Sequence, residues 1–313
     1  MYKIYRHIEK RPTPARYNQP AKFYEDWVLT GTTEDVDYVP QTHLRIWYNN
    51  EKGSYDFHHH EAMEIIVCME NETVIEADGK TYRLNSGDII IIPPHMLHNL
   101  YFEKFGVRFI FLIDIDILRC YNDLKTLDPI LMKPFFCTAN TQPIIYQEIY
   151  NSLMKMVDIY FENKSFWEIH IYSLFLEMIA LIGHNHFKET IKEQNTSTIS
   201  KGWEYFDKFS SLLSFIDANY AQDLTLEQVA NYMGFSKFHF SRLFKVYTKT
   251  TFYNYLCHKR IQAAQSLLVS DLPITNIASQ TGFNNSTTFC RCFKKFTNCS
   301  PTEYRNRFNN DNT

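Results

Sequence analysis

The last hundred or so residues contain an internal repeat, which restricts the fold more than any other feature of the chain. Residues 229–235 (VANYMGF) recur as 277–283 (IASQTGF), and residues 240–245 (FSRLFK) recur as 289–294 (FCRCFK). Each copy predicts a short helix, a turn whose glycine takes a positive φ, and a second helix that starts at a capping residue, Ser236 or Asn284. The repeat therefore predicts two helix-turn-helix units in an all-α region.

The second helix of each copy has two faces. The apolar face, which we expect to be buried, contains Phe240, Leu243, Phe244 and Tyr247 in the first copy and Phe289, Cys292, Phe293 and Phe296 in the second. The other face carries groups that can read base edges or bind phosphates. These candidate DNA-binding residues are Lys237, Phe238, Ser241, Arg242, Lys245, Ser286, Thr287, Cys290, Arg291, Lys294 and Lys295. Because Arg and Lys recur at matching positions, we favour DNA recognition over an ordinary solvated surface.

The charge distribution points to the same partner. Residues 200–313 carry 13 Lys and Arg against 8 Asp and Glu, whereas residues 1–199 carry 19 against 27. A basic tail behind an acidic front suits duplex DNA, although uneven surface charge is the alternative. Residues 253–269 between the copies predict a linker helix of roughly 25 Å, which suits recognition helices about 34 Å apart along a duplex.

The composition limits the class of protein. No apolar run approaches the roughly 20 residues of a membrane span. The seven cysteines are scattered, odd in number and without a CxxC pair. We therefore expect reduced thiols in a cytoplasmic protein and no membrane partner.

The first part of the chain has two patterns in succession. Short β-rich runs separated by turn signals predict a sandwich or small barrel. These runs are His43–Tyr48, Ala62–Met69, Thr73–Ala77, Thr81–Leu84, Asp88–Ile92 and Val107–Ile113. Apolar stripes over Ile145–Tyr160 and Ile169–Ala180 then predict a helical hairpin that breaks near Glu162–Lys164. We expect the hairpin to dimerise, with capping of the barrel as the alternative.

Three histidines and a glutamate are the candidate ligand-binding residues of the β-rich region. His58 and His60 share strand parity with Glu64, and a later Gly87-x5-Pro93-x4-His98 supplies a third histidine. Arg45 and Trp47 share parity on the preceding strand and suit a sugar, although Trp47 is also suited to ordinary core packing.

The C-terminal motifs carry a resemblance to a known family. The region 226–305 resembles the AraC-type (AraC/XylS) transcription regulators. The matching patterns are Arg260-x2-Ala263-x3-Leu267-Leu268, Ile274-x2-Ile277-Ala278-x3-Gly282-Phe283, Phe289-x-Arg291-x-Phe293-Lys294-Lys295 and Ser300-Pro301-x2-Tyr304-Arg305. The chain departs from the family where a glycine usually follows each recognition helix, since Lys249 and Asn298 stand there.

The histidine pattern resembles that of the cupins, which bind divalent metals through three histidines and a glutamate. AraC-type regulators carry similar sensor barrels, usually without a catalytic metal. Three interpretations of His58, His60, Glu64 and His98 stay open: lining for a small ligand, often a sugar in this family; a Zn, Fe, Mn or Ni site; or structural histidines. We favour the first, and therefore predict no required cofactor.

These observations predict an α+β multidomain protein. Its parts are an N-terminal arm and cupin-like effector-binding barrel (1–141), a dimerising helical hairpin (142–187), a linker (188–205) and a double helix-turn-helix domain (206–313). The expected function is that of an effector-responsive, sequence-specific DNA-binding regulator rather than an enzyme. By resemblance it is an activator that contacts RNA polymerase. The alternative is a metal-dependent cupin enzyme, an isomerase or dioxygenase, with an accessory DNA-binding domain.

Overall fold

The computed structural model describes residues 8–23, 29–30, 33–118, 120–121, 123–124, 127, 130, 133–193, 199–248, 250–268, 270, 272–297 and 299–309. The chain forms two compact units. The first, here called the sensor unit, comprises residues 1–118 and 131–186, and the second, here called the helical unit, comprises residues 119–130 and 187–313. The α+β multidomain class predicted from the sequence is confirmed.

The strands of the sensor unit are β1 (Glu9–Lys10), β2 (Leu29–Thr30), β3 (Thr33–Glu34), β4 (Leu44–Asn49), β5 (Glu51–His58), β6 (Met63–Cys68), β7 (Thr73–Ala77), β8 (Lys80–Leu84), β9 (Ile89–Ile92), β10 (His98–Phe102), β11 (Arg108–Ile113) and β12 (Phe135–Cys137). Each of the strands predicted from alternation and turn signals is confirmed to within one residue at either end. The alternation did not mark out β1, β2, β3, β5, β10 and β12. β5 in particular carries Gly53 and several polar residues, which weaken a strand signal.

Two antiparallel five-stranded sheets enclose the core of the sensor unit. Their strand orders are β1-β5-β10-β7-β8 and β12-β9-β6-β11-β4, and the described strands include none that belongs to both sheets. Alternate residues of each sheet point inward, including Ile66, Ile110 and Leu100, and form one buried cluster. This double-sheet arrangement is the jelly-roll form of a cupin-like domain.

Two helices follow the sheets, α1 (Tyr146–Glu162) and α2 (Trp167–Glu193). They are separated at Asn163, which caps α1 in the left-handed conformation. This confirms the break predicted near Glu162–Lys164. The apolar stripe of α1 is buried within its own unit, with Ile149, Leu153 and Met156 fully inaccessible. Burial of each such side chain stabilises the fold by about 1.5–3 kcal/mol.

The face that α1 covers is the outer side of the second sheet. β6, β9 and β11 are buried on both faces, as strands between two layers must be. The Tyr146 hydroxyl at the start of α1 donates to the Gly87 carbonyl at 2.9 Å, and the Tyr160 hydroxyl near its end donates to Gln19 at 2.9 Å. The α1 stripe therefore belongs to the core and is not surface left for a partner.

The predicted face of α2 is only partly correct. Ile179 is buried, but Ile169 and Ala180 are exposed and Tyr172 and Leu176 are half-buried. The residues that α2 buries are Ile171, Leu174, Phe175, Met178, Ile179 and Ile182. The helix is apolar on most of its circumference, so helical phase alone did not identify the inward side.

The helical unit contains α3 (Ile199–Asn219), α4 (Leu226–Tyr232), α5 (Lys237–Thr248), α6 (Phe252–Leu268), α7 (Ile274–Gln280), α8 (Ser286–Thr297) and α9 (Pro301–Asn309). The segment 188–205, which we predicted to be a linker, is helical where the structure describes it. α2 continues to Glu193 and α3 begins at Ile199. Lys and Glu are strong helix formers, so a segment can be helical without apolar periodicity.

Along the described ranges no helix is long and apolar enough to span a membrane. All seven cysteines are free thiols.

Candidate functional site

Three histidines and a glutamate meet inside the sensor unit. His58 ends β5, His60 follows it in the connection to β6, Glu64 lies on β6 and His98 begins β10. Their exposed fractions are 3%, 3%, 4% and 0%. One ligand atom from each lies within 4.8 Å of those from the others, and this is the one such group found among the described residues. The four residues that were selected from their spacing in the sequence therefore lie together in the fold.

A β-bulge turns His58 inward. β10 pairs His98 with His58 and Leu100 with Tyr55, so β5 has an extra residue between these pairs. Tyr55 and His58 are three residues apart and would face opposite sides of a regular strand. The bulge places both among the buried residues, and such bulges commonly aim a side chain into a site. His60 lies beyond the end of β5, so its position depends on the connection and not on the strand parity used for its prediction.

The backbone sets the orientation and tautomer of each imidazole. The Nδ1 atom lies 2.7 Å from the Asp56 carbonyl in His58, 3.1 Å from the Ala62 carbonyl in His60 and 2.8 Å from the Met96 carbonyl in His98. A carbonyl oxygen only accepts, so each Nδ1 carries the proton and donates it. The three Nε2 atoms are left facing the interior of the cluster.

Each Nε2 atom faces a carboxylate. Oε2 of Glu64 lies 2.7 Å from Nε2 of His98 and 3.3 Å from Nε2 of His60. Nε2 of His58 lies 3.2 Å from Oε2 of Glu34 on β3, a neighbour that sequence spacing did not reveal. Burial opposes ionisation of Glu64, but the charge of His98 and the hydrogen bond from His60 outweigh it and hold the pKa of Glu64 far below its usual value.

The two other histidine environments differ. Burial opposes protonation of His60, but the hydrogen bond and charge of Glu64 outweigh it and raise the pKa of His60. Burial, reinforced by the charges of His98 and His60, lowers the pKa of His58 well below its usual value. The cluster therefore combines a carboxylate with imidazoles of unequal basicity in an interior shielded from water.

Arg45 and Trp47 lie on the inner face of the same sheet. Across that sheet Arg45 pairs with Leu112, which in turn pairs with Glu64. Two strand spacings separate Arg45 from Glu64, roughly 10 Å. The guanidinium lies 3.9 Å from the Phe23 ring and 5.3 Å from the Trp47 ring, and its Nε has no hydrogen-bond partner among the described residues. Arg45 and Trp47 thus lie side by side, apart from the histidine cluster.

A second buried charge network went undetected in the sequence. Arg108 is fully buried and donates to Asn49 at 2.9 Å and to the Gly106 carbonyl at 3.0 Å. Asn49 and Tyr55 also donate to the buried carboxylate of Glu51, at 3.1 and 2.5 Å. Burial lowers the pKa of Arg108 to about 10. Because these charges are held by hydrogen bonds, the network is a structural feature of the core.

The helical unit contains both predicted helix-turn-helix units, α4–α5 and α7–α8. The turn glycines Gly234 and Gly282 take the predicted positive φ, at 72° and 84°. Ser236 caps α5, since its hydroxyl accepts from the His239 amide at 3.4 Å. The cap predicted at Asn284 is wrong, because Asn285 accepts from the Thr288 amide at 2.8 Å. The extra residue of the second turn precedes the cap and shifts it by one.

The second helices divide into faces as predicted, except that Phe296 is half-buried. The exposed candidate DNA-binding residues are Lys237, Phe238, Ser241, Arg242, Lys245, Thr287, Arg291, Lys294 and Lys295, and the half-buried ones are Ser286 and Cys290. Phe238 is 89% exposed, which is unusual for an aromatic side chain and suits contact with a thymine methyl. Lys295 donates to Asn254 of α6 at 2.9 Å. Lys249 and Asn298, where the family usually has glycine, lie outside the described residues.

Several motif residues hold the helical unit together instead of facing outward. Arg260 donates to the carbonyls of Tyr220 and Gln222, each at 2.7 Å. Arg305 donates to the Leu272 carbonyl at 2.5 Å, and Tyr304 is buried. Cys292 is also buried, with its sulfur 3.6 Å from that of Cys257.

Comparison with known proteins gives two domain matches. Residues 45–110 match the family described as AraC-like ligand binding domain, and residues 229–307 match the family described as Helix-turn-helix domain. The first match spans β4 to the start of β11 and includes Arg45, Trp47 and the histidine cluster. The second spans both helix-turn-helix units.

Individual relatives are similar to most of the chain or to about a third of it. An uncharacterized HTH-type transcriptional regulator of Staphylococcus aureus (strain COL) is 24% identical over 257 residues, or 80% of this chain, and the chain spans only 32% of that protein's length. The regulatory protein PocR of Salmonella typhimurium is 36% identical over 103 residues, which is 33% of this chain and 34% of PocR. The structure of ToxT from Vibrio cholerae is 14% identical, covers 84% of this chain and 97% of ToxT, and has a TM-score of 0.43. The printed names of the first two describe them as a transcriptional regulator and a regulatory protein.

Proposed function

We propose that this chain is an AraC-type regulator, which controls transcription by binding specific DNA sites in response to a small effector; its two domain matches support this. The helical unit binds duplex DNA through α5 and α8. The sensor unit holds the effector, and the effector changes DNA binding only if it binds one arrangement of the protein better than another.

The observation that carries this proposal is the equivalence of two exposed arginines. Arg242 on α5 and Arg291 on α8 occupy the same position in the two repeats, and both project from helices anchored by buried aromatics. An arginine that reaches a guanine edge in the major groove makes a bidentate contact that discriminates between bases. Phe238 and Thr287 lie at the equivalent position near the start of each helix.

Selection of binding sites from random DNA by the full chain tests this proposal. We expect one enriched motif, and Arg291→Ala or Arg242→Ala should lose roughly 5- to 150-fold in affinity for it, or about 1–3 kcal/mol. Lys294→Ala should weaken all sequences alike, because phosphate contacts carry no sequence information. Arg83→Ala is the matched control, since it removes an exposed arginine that pairs with Glu72 in the sensor unit. Failure of every sequence to outcompete random DNA would overturn the proposal.

For the effector we propose a sugar, held near Arg45 and Trp47 and extending toward the histidine cluster. The support is the buried Arg45 Nε beside two aromatic rings, since a sugar offers hydroxyls to a guanidinium and a C–H face to an indole. A thermal-shift screen of the full chain against sugars tests this. A ligand at 100 times its dissociation constant adds about 2.7 kcal/mol of stability, and Trp47→Ala should abolish that gain.

We further propose a dimer formed through the outward side of α2. Its support is that Ile169 and Ala180 are exposed, Ile169 to 68%, and that Tyr172 and Leu176 on the same stripe are half-buried. α1 takes no part in this dimer, because its apolar stripe is buried in its own unit. Light scattering should show a dimer that Ile169→Asp converts to a monomer, and a monomeric parent protein would contradict it.

The proposed role also includes the sign of regulation, a contact with RNA polymerase and a cellular location. The protein acts as an activator that contacts RNA polymerase, as the family resemblance suggests. The seven free thiols support a cytoplasmic location. Reporter expression in cells with and without the effector measures the sign of regulation.

A further inference from the structure

We propose that Cys257 on α6 and Cys292 on α8 are a redox pair, which a peroxide converts to a reversible disulfide that weakens DNA binding. Disulfides of cytoplasmic proteins are typically transient and redox-sensing, which suits this role. The pair gives the helical unit an input of its own, separate from an effector in the sensor unit. The effect on DNA rests on the proposed function, whereas the oxidation itself does not.

The two sulfurs meet at the contact between the linker helix and the second recognition helix. Their Sγ atoms lie 3.6 Å apart, and Cys257 and Cys292 are 2% and 7% exposed. They belong to one apolar cluster with Phe289 and Phe293, which anchor α8. The sulfurs of a disulfide lie about 2.05 Å apart, so bond formation requires an approach of roughly 1.5 Å. The two thiols are therefore already neighbours in the reduced fold.

The pair lies directly behind an exposed side chain. Tyr253 is 57% exposed, and its hydroxyl hydrogen-bonds to the Cys257 sulfur. Exposed side chains change rotamer within nanoseconds, so Tyr253 can move aside and admit a small oxidant. Hydrogen peroxide therefore has a short path from solvent to the two sulfurs.

The two thiols have different roles in the reaction. Burial, together with the nearby Cys292 sulfur, raises the pKa of Cys257 to about 11, so Cys257 stays protonated at neutral pH. Cys292, which is also the more accessible of the two, reacts first. Its thiolate attacks one peroxide oxygen, the O–O bond breaks, and the products are a sulfenic acid and a hydroxide ion, which takes up a proton.

The second thiol then closes the disulfide. The Cys257 sulfur attacks the Cys292 sulfur, the S–O bond breaks, and the leaving hydroxide takes the Cys257 proton to form water. The two sulfurs together lose two electrons, and the peroxide is reduced to two molecules of water. A dithiol reductant reverses the bond by thiol–disulfide exchange.

The bond affects DNA binding because Cys292 lies next to a proposed base-reading residue. Arg291 precedes Cys292 on α8 and is exposed. The core around the sulfurs is close-packed, so their approach shifts α8 toward α6 and displaces Arg291. Loss of one bidentate contact with a base corresponds to about 5- to 150-fold in affinity. Oxidation should weaken DNA binding within that range.

The alternative is that both cysteines are ordinary core residues, since a free cysteine packs as a small apolar group. Cys299 provides an internal comparison, because it is 4% exposed and lies in the same apolar cluster. Its sulfur lies 3.6 Å from the Thr297 hydroxyl. Cys299 thus matches the pair in burial but has a hydroxyl where the pair has a second sulfur.

The experiment treats the reduced full chain with hydrogen peroxide, blocks the remaining thiols with N-ethylmaleimide and maps linked peptides by mass spectrometry. We expect a Cys257–Cys292 linkage that dithiothreitol removes, with altered amide exchange in α6 and α8. Affinity for the DNA motif selected by the reduced chain should fall by about 5- to 150-fold and recover with the reductant.

Variants separate the pair from general oxidation. Cys257→Ala should bind the motif as the parent does but ignore peroxide, and Cys257→Ser is a second variant of nearly the same volume in case the first is unstable. Cys299→Ala is the matched control and should respond to peroxide like the parent.

The outcomes are distinct. A Cys257–Cys292 linkage, together with peroxide-insensitive DNA binding in the Cys257 variants, supports the proposal. It is overturned if peroxide oxidises the exposed Cys120 but leaves the pair unlinked, if the linkage forms without a change in affinity, or if the Cys257 variants lose affinity as the parent does. If the reduced chain selects no DNA motif, the proposed function fails separately. The linkage map and the exchange of α8 then decide the redox pair, because neither measurement needs DNA.

Discussion

The two helix-turn-helix units share a sequence motif but support their turns differently. Both Gly234 and Gly282 have a positive φ that side chains rarely adopt. A Cβ atom added at Gly234 would have no atom within 4 Å, whereas one added at Gly282 would lie 2.7 Å from the Ala221 carbonyl oxygen. The first turn thus needs glycine for its conformation alone, and the second needs it also for space. A repeated sequence specifies the same local structure twice, but it does not specify the same neighbours.

The neighbour of the second turn is held by the linker helix α6. Arg260 on α6 fixes the segment 220–222 through two carbonyls, and its guanidinium also lies 5.6 Å from the ring of Phe283. The loop that follows α3 therefore packs against the turn between α7 and α8, with the Ala221 backbone next to Gly282. The first turn has no equivalent contact at its glycine, so the two units should differ in their response to the same mutation.

The largest expected difference is between Gly282→Ala and Gly234→Ala. The positive φ alone should cost about 1–2 kcal/mol at either site. At Gly282 the clash with the Ala221 backbone should add about 1–3 kcal/mol. Hydrogen exchange of the full chain, read on the amides of α4–α5 and α7–α8, measures both local stabilities. Equal losses at the two sites would show that the contact with Ala221 does not matter.

A second expected effect comes from the arginine that holds this contact. Arg260→Ala should lower the local stability of the α7–α8 turn by about 1.5–3 kcal/mol, because two hydrogen bonds to a charged group are lost. Exchange around the α4–α5 turn should change less. The control is Arg291→Ala, which removes an exposed arginine from the same unit. If α4–α5 and α7–α8 lose protection equally, Arg260 supports the whole unit rather than its second turn.

The smallest expected difference concerns the helix caps. Replacing a capping Ser or Asn by Ala costs about 0.5–2 kcal/mol. Asn285→Ala should lie toward the upper end and Ser236→Ala toward the lower, since their cap bonds are 2.8 and 3.4 Å long. Asn284→Ala is the control, because the described structure gives it no capping role. Amide exchange at Thr288 and His239 reports the two caps separately, and a larger loss in Asn284→Ala than in Asn285→Ala would contradict the assignment.

Local features of the two helix-turn-helix units could be predicted from the sequence. Gly234, Gly282 and the buried faces of α5 and α8 could be predicted because they depend on residues within one or two helical turns. The cap at Asn285 could not be placed by analogy, because one inserted residue shifts a hydrogen bond by a full position. The inward side of α2 was only partly predicted. A helix that is apolar on most sides has no single polar face that would identify its solvent-exposed side.

The histidine cluster depends on both local and distant information. Its residue types and spacings were readable in the sequence, and they brought His58, His60, Glu64 and His98 together as candidates. The bulge that turns His58 inward arises from pairing between β5 and β10, which are about 40 residues apart. Glu34 belongs to a two-residue strand whose placement has no periodic signal.

Four features could be derived from the chain alone: the helices of the repeat, their turn glycines, their outward arginines and the set of candidate ligands. They follow from helical phase, backbone preference and side-chain chemistry. Three other features required the folded structure: the α1 stripe packs in the core, the Ala221 backbone packs against Gly282, and three Nε2 atoms face buried carboxylates. The physical reason is that burial and close contact are properties of pairs of segments. The residues adjacent to a side chain in the sequence do not identify the distant segment that will pack against it.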